Sequence, residues 1–149
     1  MERKFSKRVL RCNSDKLLKM VADVETYGEF VPLCKEVRII ENLRDEGTKK
    51  KFKASIFIEY KIFKDSFISI VSVDKENNKI IIQSTEKPFK DLYSEWTFDQ
   101  LEKDCEVSFF VKASFNSFMI EKIISLSFDR IAKRIISAFE ERVAKEKLS

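Results

Sequence analysis

The chain has 149 residues, a formal net charge of +4 and a hydrophobic content of 44%, which suits one domain with a buried core. It contains no histidine and its two glycines stand apart. The sequence therefore excludes histidine-based nucleophile pairs, the usual general base, most transition-metal sites and Gly-rich phosphate loops. The mild positive charge permits contact with RNA or anionic lipid without requiring either.

Cysteine usage points to a reducing compartment, and hydropathy gives no sign of a membrane span or a signal peptide. Cys12, Cys34 and Cys105 are odd in number and lack CxxC spacing, which argues against a disulfide framework. No apolar run approaches the ~20 residues that cross a bilayer, and the basic N-terminus lacks the apolar segment of a signal peptide. We therefore expect a cytoplasmic protein.

The N-terminal third predicts a strand followed by two short helices. Residues 4–12 alternate as a strand, and Asn13 or Ser14 can cap a helix over 16–24. The segment 25–34 contains Gly28 and Pro32 yet stays apolar, which fits a second short helix or a turn.

The middle of the chain predicts strands at 36–44, 51–58, 62–73, 79–86, 93–101 and 107–115, joined by short turns. Phe52, Ala54, Ile56 and Ile58 alternate with Lys51, Lys53, Ser55 and Phe57. The run Ile80 to Ile82 does not reveal its buried face, and the segment 87–89 interrupts the pattern. Consecutive strands on short turns make an antiparallel sheet.

A long amphipathic helix is predicted over 116–147, with Asn116 or Ser117 as its cap and Glu121 near its positive end. Its apolar stripe consists of Ile120, Ile124, Phe128, Ile131, Ile135, Ala138 and Phe139. Phe118, Met119, Ile123 and Leu126 add apolar surface away from that stripe. We expect this doubly apolar beginning to face the mouth of a cavity.

The predicted fold class is α+β: a curved antiparallel sheet of about six to seven strands wrapped around the long C-terminal helix, with two short helices after the first strand. Residues 1–149 are expected to form a single domain. A ligand cavity between sheet and helix is slightly favoured over a solid core, because Tyr27, Phe30, Val31, Phe89 and Leu92 occupy irregular segments that often form pocket mouths.

Polar candidates for chemistry are weak. Asp65, Glu86 and Glu95 are candidate acid–base groups, but surface solvation is the favoured interpretation of each. Cys34 is a candidate reactive thiol, for which a buried and inert side chain is favoured.

Basic residues offer two further alternatives. The run Lys49 to Lys53 suggests phosphate binding, although a hairpin tip kept soluble by lysines is favoured. On the long helix, Lys122, Arg130, Lys133 and Arg134 either meet anionic lipid headgroups or form its solvated face.

Three segments resemble a known family. The segment MVADVETYGEFVPLC at 20–34 is similar to the one that follows the first strand in the coenzyme Q-binding, START-like family of the polyketide cyclase/dehydrase superfamily. Further matches are Pro88-Phe89-Lys90-x-Leu92 leading to Trp96-x-Phe98, and Phe128-x-Arg130. Departures are Gly28 for a usual Pro, Lys87 for a usual Gly, and Glu95 at a commonly small position; Gly28 is expected to loosen its turn.

The resemblance implies a helix-grip fold with a cavity, and two functional classes. The first is a non-enzymatic carrier of ubiquinone or a related isoprenoid lipid that supports respiratory electron transport, with no cofactor. The second, described for bacterial relatives, is a ribosome-association toxin that binds the large ribosomal subunit; a cyclase or aromatase role ranks third because histidine is absent.

For the carrier, the partners are a hydrophobic small molecule and, peripherally, the inner face of the membrane; DNA is not expected, and the oligomeric state is left open. The expected ligand-binding residues are Tyr27, Phe30, Val31, Pro32, Phe89, Trp96, Phe98, Phe109, Val111, Phe115, Ile120, Ile124 and Phe128. Gating is expected from the 25–34 turn and the start of the long helix.

Overall fold

Seven antiparallel strands form one sheet in the computed structural model, which describes residues 1–61 and 63–146. The sheet order is β1-β7-β6-β5-β4-β3-β2, so that β1 is the one strand not beside its neighbour in sequence. The strands are β1 Glu2–Val9, β2 Cys34–Asp45, β3 Lys49–Tyr60, β4 Phe63–Asp74, β5 Lys79–Ser84, β6 Phe89–Leu101 and β7 Asp104–Phe115.

The helices follow the predicted order. Helix α1 spans Ser14–Ala22, a short 3₁₀ helix spans Val24–Glu29, and the long helix α2 spans Phe118–Glu146. The Asn13 side chain caps α1 by accepting the Lys16 backbone N–H at 3.1 Å, and the Ser117 hydroxyl accepts the Ile120 N–H at the start of α2. The predicted helix-grip arrangement, a curved sheet holding a long C-terminal helix, is confirmed.

Several predicted boundaries were wrong. Strand β1 ends at Val9, where its pairing with Cys105 of β7 stops, so residues 10–12 belong to the connection to α1. Phe89 does not interrupt the sheet; it begins β6 and pairs with Phe115. Ile62 and Lys147, at the ends of a predicted strand and helix, lie outside the described residues.

Sheet curvature accompanies local irregularities in the ladder. Strand β2 carries register shifts at Cys34/Glu36, Ile39/Glu41 and Asn42/Arg44, and β6 carries one at Phe89/Asp91. Such bulges bend a strand and increase its twist. The concave face thereby wraps towards α2, with Ile80 fully buried and Ile82 facing the helix while Ile81 lies on the outer face.

Helix α2 contacts the sheet differently along its length. In its second half Ala132, Ile136, Phe139 and Val143 are buried, whereas the predicted stripe residues Ile131 and Ile135 are half-buried. The buried positions therefore move gradually around the helix as it crosses the curved sheet. In its first half, Ile120 and Ile124 are half-buried against Phe89, Phe115 and their neighbours.

The doubly apolar beginning of α2 does not face the cavity as a whole. Ile123 lines the cavity, but Phe118, Met119 and Leu126 lie on the opposite side and are exposed. The prediction for these three residues was wrong, because residue spacing shows that two faces are apolar without showing which one meets the sheet. Among the described residues, no helix is long and apolar enough to span a membrane.

Candidate functional site

A cavity of about 290 Å³ lies between the concave face of the sheet and the first two-thirds of α2. The residues after the 3₁₀ helix, Val31 to Cys34, form one side of it. Large aromatic and aliphatic side chains supply most of its wall, while Ser94 of β6 and Ala113 of β7 are small. The space exists because these small residues sit where larger ones would reach towards the helix.

Most of the predicted ligand-binding residues come together in this cavity. Those that line it are Tyr27, Val31, Pro32, Phe89, Trp96, Phe109, Val111, Phe115, Ile120, Ile124 and Phe128. Their role in binding a ligand remains a prediction.

Phe30 and Phe98 lie elsewhere. Phe30 packs edge-on against Phe139 at 5.1 Å between ring centroids, and the Arg142 guanidinium lies over the Phe30 ring, 4.7 Å from its centroid. Phe98 is completely buried in the closed end of the core, in a parallel arrangement with Trp96 at 6.2 Å. Neither ring reaches the cavity, because both are held in the part of the core that surrounds the second half of α2.

Alternation could have identified several cavity residues that the sequence interpretation left out. Ile56 and Ile58 continue the inward face of β3, and Ile82 continues that of β5. Other lining residues outside the predicted ligand-binding set are Met1, Leu33, Cys34, Tyr60, Phe67, Leu92, Ser94, Ala113, Ile123, Ile131, Ile135 and Phe139. Of these, Leu92 and Ile123 were expected near the cavity mouth, and Cys34 was a candidate thiol.

The inner polar groups of the cavity already have partners. The Tyr27 hydroxyl donates to the Val21 carbonyl oxygen, and burial raises the pKa of Tyr27. The Ser94 hydroxyl donates to the Ile82 carbonyl oxygen at 3.3 Å. These hydroxyls therefore complete the wall rather than presenting free hydrogen-bonding groups to a ligand.

One polar cluster lies at the cavity edge, where the β3–β4 hairpin meets α2. The Arg130 guanidinium donates to the Tyr60 hydroxyl oxygen at 3.4 Å and to the Ser127 hydroxyl oxygen at 3.4 Å. Hydrogen bonding with Ser127 lowers the pKa of the Tyr60 hydroxyl, and Arg130 and the neighbouring Lys61 act in the same direction. Arg130 is exposed and gives the cluster a positive charge, which suits an electron-rich oxygen of a ligand.

Cys34 is the thiol that contacts the cavity. It is half-buried at the start of β2, and burial raises its pKa to about 11. Its thiol is therefore neutral near pH 7, as the inert interpretation expects. Cys12 and Cys105 are buried below the β6–β7 turn, where the Cys105 thiol contacts the Cys12 carbonyl oxygen at 3.0 Å.

The three candidate carboxylates do not converge on the cavity. Asp65 and Glu86 are exposed, and Glu86 accepts the Ile68 backbone N–H at 3.0 Å. Glu95 lies on the outer face of the sheet, where it accepts the Tyr93 hydroxyl at 3.1 Å and pairs with Lys79 at 3.6 Å. Within the described residues, no carboxylate lines the cavity and no carboxylate–cysteine cluster suits a metal ion.

The lysine run lies at the start of β3, beside the β2–β3 turn. Lys51 is exposed, and Lys53 pairs with Glu41 of β2 at 3.4 Å. Phe52 between them points into the core, so Lys51 and Lys53 share the outer face of the sheet. The cavity and these lysines thus occupy opposite faces.

Comparison with known proteins places the fold and the cavity in context. Residues 14–140 match the family model described as polyketide cyclase/dehydrase and lipid transport. The solution structure of the 18 kDa protein CC1736 from Caulobacter crescentus superimposes with a TM-score of 0.84 at 25% identity, covering 100% of this chain and 99% of that one.

Two curated relatives carry names from different functional classes. The ribosome association toxin RatA of Rickettsia prowazekii is 28% identical over 142 residues, 93% of each chain. The mitochondrial coenzyme Q-binding protein COQ10 of Dictyostelium discoideum is 27% identical over 135 residues, 86% of this chain and 62% of that protein. The resemblance noted in the sequence is confirmed, and because the family model spans most of the chain, this protein belongs to the polyketide cyclase/dehydrase and lipid transport family.

Proposed function

We propose that this protein binds a hydrophobic small molecule in the cavity between its sheet and α2, and carries it without chemical change. Ubiquinone or a related isoprenoid lipid is the proposed ligand, and support of respiratory electron transport is the proposed role. The observation that carries the proposal is the apolar cavity itself, whose inner hydroxyls are already hydrogen-bonded. Such a site gains affinity mainly from removing apolar surface from water, at about 25 cal/mol per Å².

The size of the cavity bears on how a long ligand fits. A volume of about 290 Å³ lies at the low end of the ~300–1,000 Å³ range of small-molecule pockets. It suits a substituted ring with a short apolar extension. A longer isoprenoid tail requires either exit through the mouth or displacement of the half-buried isoleucines of α2, Ile120, Ile123 and Ile124.

The Tyr60–Ser127–Arg130 cluster is the proposed partner of the ligand's polar end. Tyr60 lines the cavity, and the Arg130 guanidinium beside it donates hydrogen bonds that match a carbonyl or methoxy oxygen of a quinone ring. Binding rather than catalysis is proposed, since no carboxylate among the described residues lines the cavity and the chain lacks histidine.

The direct test is solvent extraction of purified protein followed by mass spectrometry, together with titration of a short-chain ubiquinone. We expect a co-purifying isoprenoid lipid or saturable quinone binding. The test variant is Ile124→Asp, which places a charge on the cavity wall at a half-buried position. Its matched control is Leu126→Asp, at an exposed position of the same helix. Absence of lipid and of quinone binding in folded protein would refute the carrier.

Ribosome association is the second candidate, supported by the relative named RatA and by the lysine run at the start of β3. Replacing Lys49, Lys50, Lys51 and Lys53 by Glu tests it through sedimentation with ribosomal subunits at low and moderate salt. The candidate requires salt-sensitive co-sedimentation that the substitutions abolish. Because none of these lysines lines the cavity, the substitutions should leave quinone binding unchanged.

A further inference from the structure

The outer side of the first half of α2 carries three large apolar side chains in contact with solvent. Phe118 is 80% exposed, Met119 58% and Leu126 80%. The other exposed large apolar side chains among the described residues are Leu10, which follows β1, and Ile40 and Leu43 of β2. Single exposed apolar residues are ordinary, whereas a group on one helix face marks an interaction surface.

These residues form one continuous surface with lysines. In a helix of 3.6 residues per turn, Met119, Leu126 and Lys133 are seven residues apart and therefore lie nearly in line. Phe118 and Lys122 lie beside that line, and Lys122 and Lys133 are exposed. We call Phe118, Met119, Lys122, Leu126 and Lys133 the outer stripe.

The outer stripe and the cavity lie on opposite sides of the same helix. Ile120, Ile124 and Ile131 line the cavity, and a step of about 100° per residue places them roughly 100–160° around the helix from Met119 and Leu126. The first half of α2 is therefore a single layer between the cavity and whatever covers the stripe.

We propose that the outer stripe docks on the surface of an anionic lipid bilayer. Apolar side chains interleaved with lysines are the composition of helices that lie in a membrane interface, where the rings and aliphatic groups enter the acyl boundary and the ammonium groups meet lipid phosphates. Arg130 adds positive charge at the stripe's edge, and Asp129 is the one exposed carboxylate among residues 118–133. The charge on this surface is therefore net positive.

A bilayer fits the stripe better than a protein partner does. The stripe is convex and narrow, and it carries charge along its length, whereas stable protein interfaces deplete lysine from their centre. Insertion of a few exposed side chains requires no pocket. α2 would then rest in the headgroup layer with the cavity edge at Tyr60 and Arg130 beside it.

The bilayer surface is thus the place where a carried lipid would enter and leave. Only this entry and exit of a lipid rests on the proposed carrier function; the docking of the outer stripe does not. Vesicle binding by the ligand-free protein is measured separately from quinone binding, so that either proposal can fail alone.

The test is co-sedimentation of full-length protein with large vesicles of phosphatidylcholine alone and of equal parts phosphatidylcholine and phosphatidylglycerol. Strong binding is expected to the anionic vesicles and weak binding to the neutral ones. Leu126→Ser and Phe118→Ser should each reduce binding by about tenfold or more. Lys122→Gln with Lys133→Gln should reduce binding to anionic vesicles by about thirtyfold, corresponding to about fivefold for each charge.

Matched controls come from elsewhere on the surface. Leu10→Ser and Ile40→Ser remove exposed large apolar side chains, 67% and 50% exposed, that lie outside α2. Lys51→Gln with Lys112→Gln removes two exposed lysines of the outer sheet face. These variants should bind vesicles as wild type does.

Several results would overturn the proposal. One is that the Leu10 or Ile40 variant loses vesicle binding as much as the stripe variants do. Another is equal binding of the wild-type protein to neutral and anionic vesicles, and a third is no vesicle binding at low salt. A concentration-dependent dimer that Leu126→Ser dissociates would assign the stripe to a second copy of the chain. Because the stripe residues are exposed, thermal unfolding should confirm that each variant remains folded.

Discussion

Enlarging Ala113 distinguishes a true cavity from a loosely packed core. Ala113 is buried on β7 and lines the cavity, so Ala113→Ile adds three carbons to empty space and keeps a side chain suited to a strand. At about 0.8 kcal/mol per buried methylene, the substitution should stabilise the protein by roughly 2 kcal/mol. For a domain of this size that raises the melting temperature by about 5–8 °C.

The cavity volume sets an upper limit on the stability that filling it can add. At about 24 cal/mol per Å³, an empty volume of about 290 Å³ corresponds to roughly 7 kcal/mol of packing that the ligand-free protein lacks. One isoleucine fills part of that volume, and quinone affinity should fall by tenfold or more because the same space is no longer available. Stability and ligand binding therefore change in opposite directions.

The assay pairs thermal unfolding with quinone titration, and Ala54→Ile is the matched control. Ala54 is fully buried in β3 and does not line the cavity. The same enlargement there overpacks the core and should cost about 1–3 kcal/mol. The reasoning fails if Ala113→Ile destabilises the protein as much as Ala54→Ile does, or if the stabilised variant still binds quinone with wild-type affinity.

Three further predictions follow from single contacts. Because burial raises the pKa of Cys34 to about 11, its alkylation by iodoacetamide should be slow at pH 8, become faster as the pH rises towards 11, and decrease when quinone fills the cavity. If saturating quinone gives no protection, the ligand binds elsewhere. Gly28→Ala should destabilise the protein by about 1–3 kcal/mol in chemical unfolding, because an added Cβ would lie 2.6 Å from the Lys35 carbonyl oxygen; an unchanged midpoint would show that this turn shifts freely. Tyr60→Phe and Arg130→Gln should weaken binding of a short-chain quinone about tenfold while leaving binding of a hydrocarbon of similar size unchanged, and an equal loss for both ligands would contradict a polar contact.

Alternation and turn residues were sufficient to predict the fold. The inward positions of β3 and β7 repeat every second residue, and short turns between strands leave little choice of topology. The cavity was predictable in outline for the same reason, since most residues that point inward near the first half of α2 line it.

Spacing did not predict which residues of an inward face line the cavity and which are buried in the core. Trp96 and Phe98 share the inward face of β6, yet one lines the cavity and the other is sealed in the closed end of the core. Similarly, Ile123 and Leu126 both add apolar surface to α2, but one faces inward and the other is exposed. Spacing gives the direction of a side chain relative to its own element, whereas its surroundings depend on where distant elements end.

The Gly28 substitution had a different meaning from the expected one. The sequence suggested that Gly28 loosens a turn, but its backbone lies so close to Lys35 that a side chain has no room. A close approach of two backbone segments leaves no trace in the spacing of apolar residues, so the sequence interpretation missed it.

The contrast between the two halves of α2 has a consequence for the helix as a unit of stability. The second half is fixed by four buried side chains, by the contact of Phe139 with Tyr27 and Phe30, and by the pairing of Arg142 with Glu29 at 3.1 Å. The first half buries less, because the cavity lies beneath it. Amide hydrogens of residues 120–126 should therefore exchange faster than those of 132–143, by opening that does not require global unfolding. A filled cavity should slow that exchange and so make the helix a single cooperative unit.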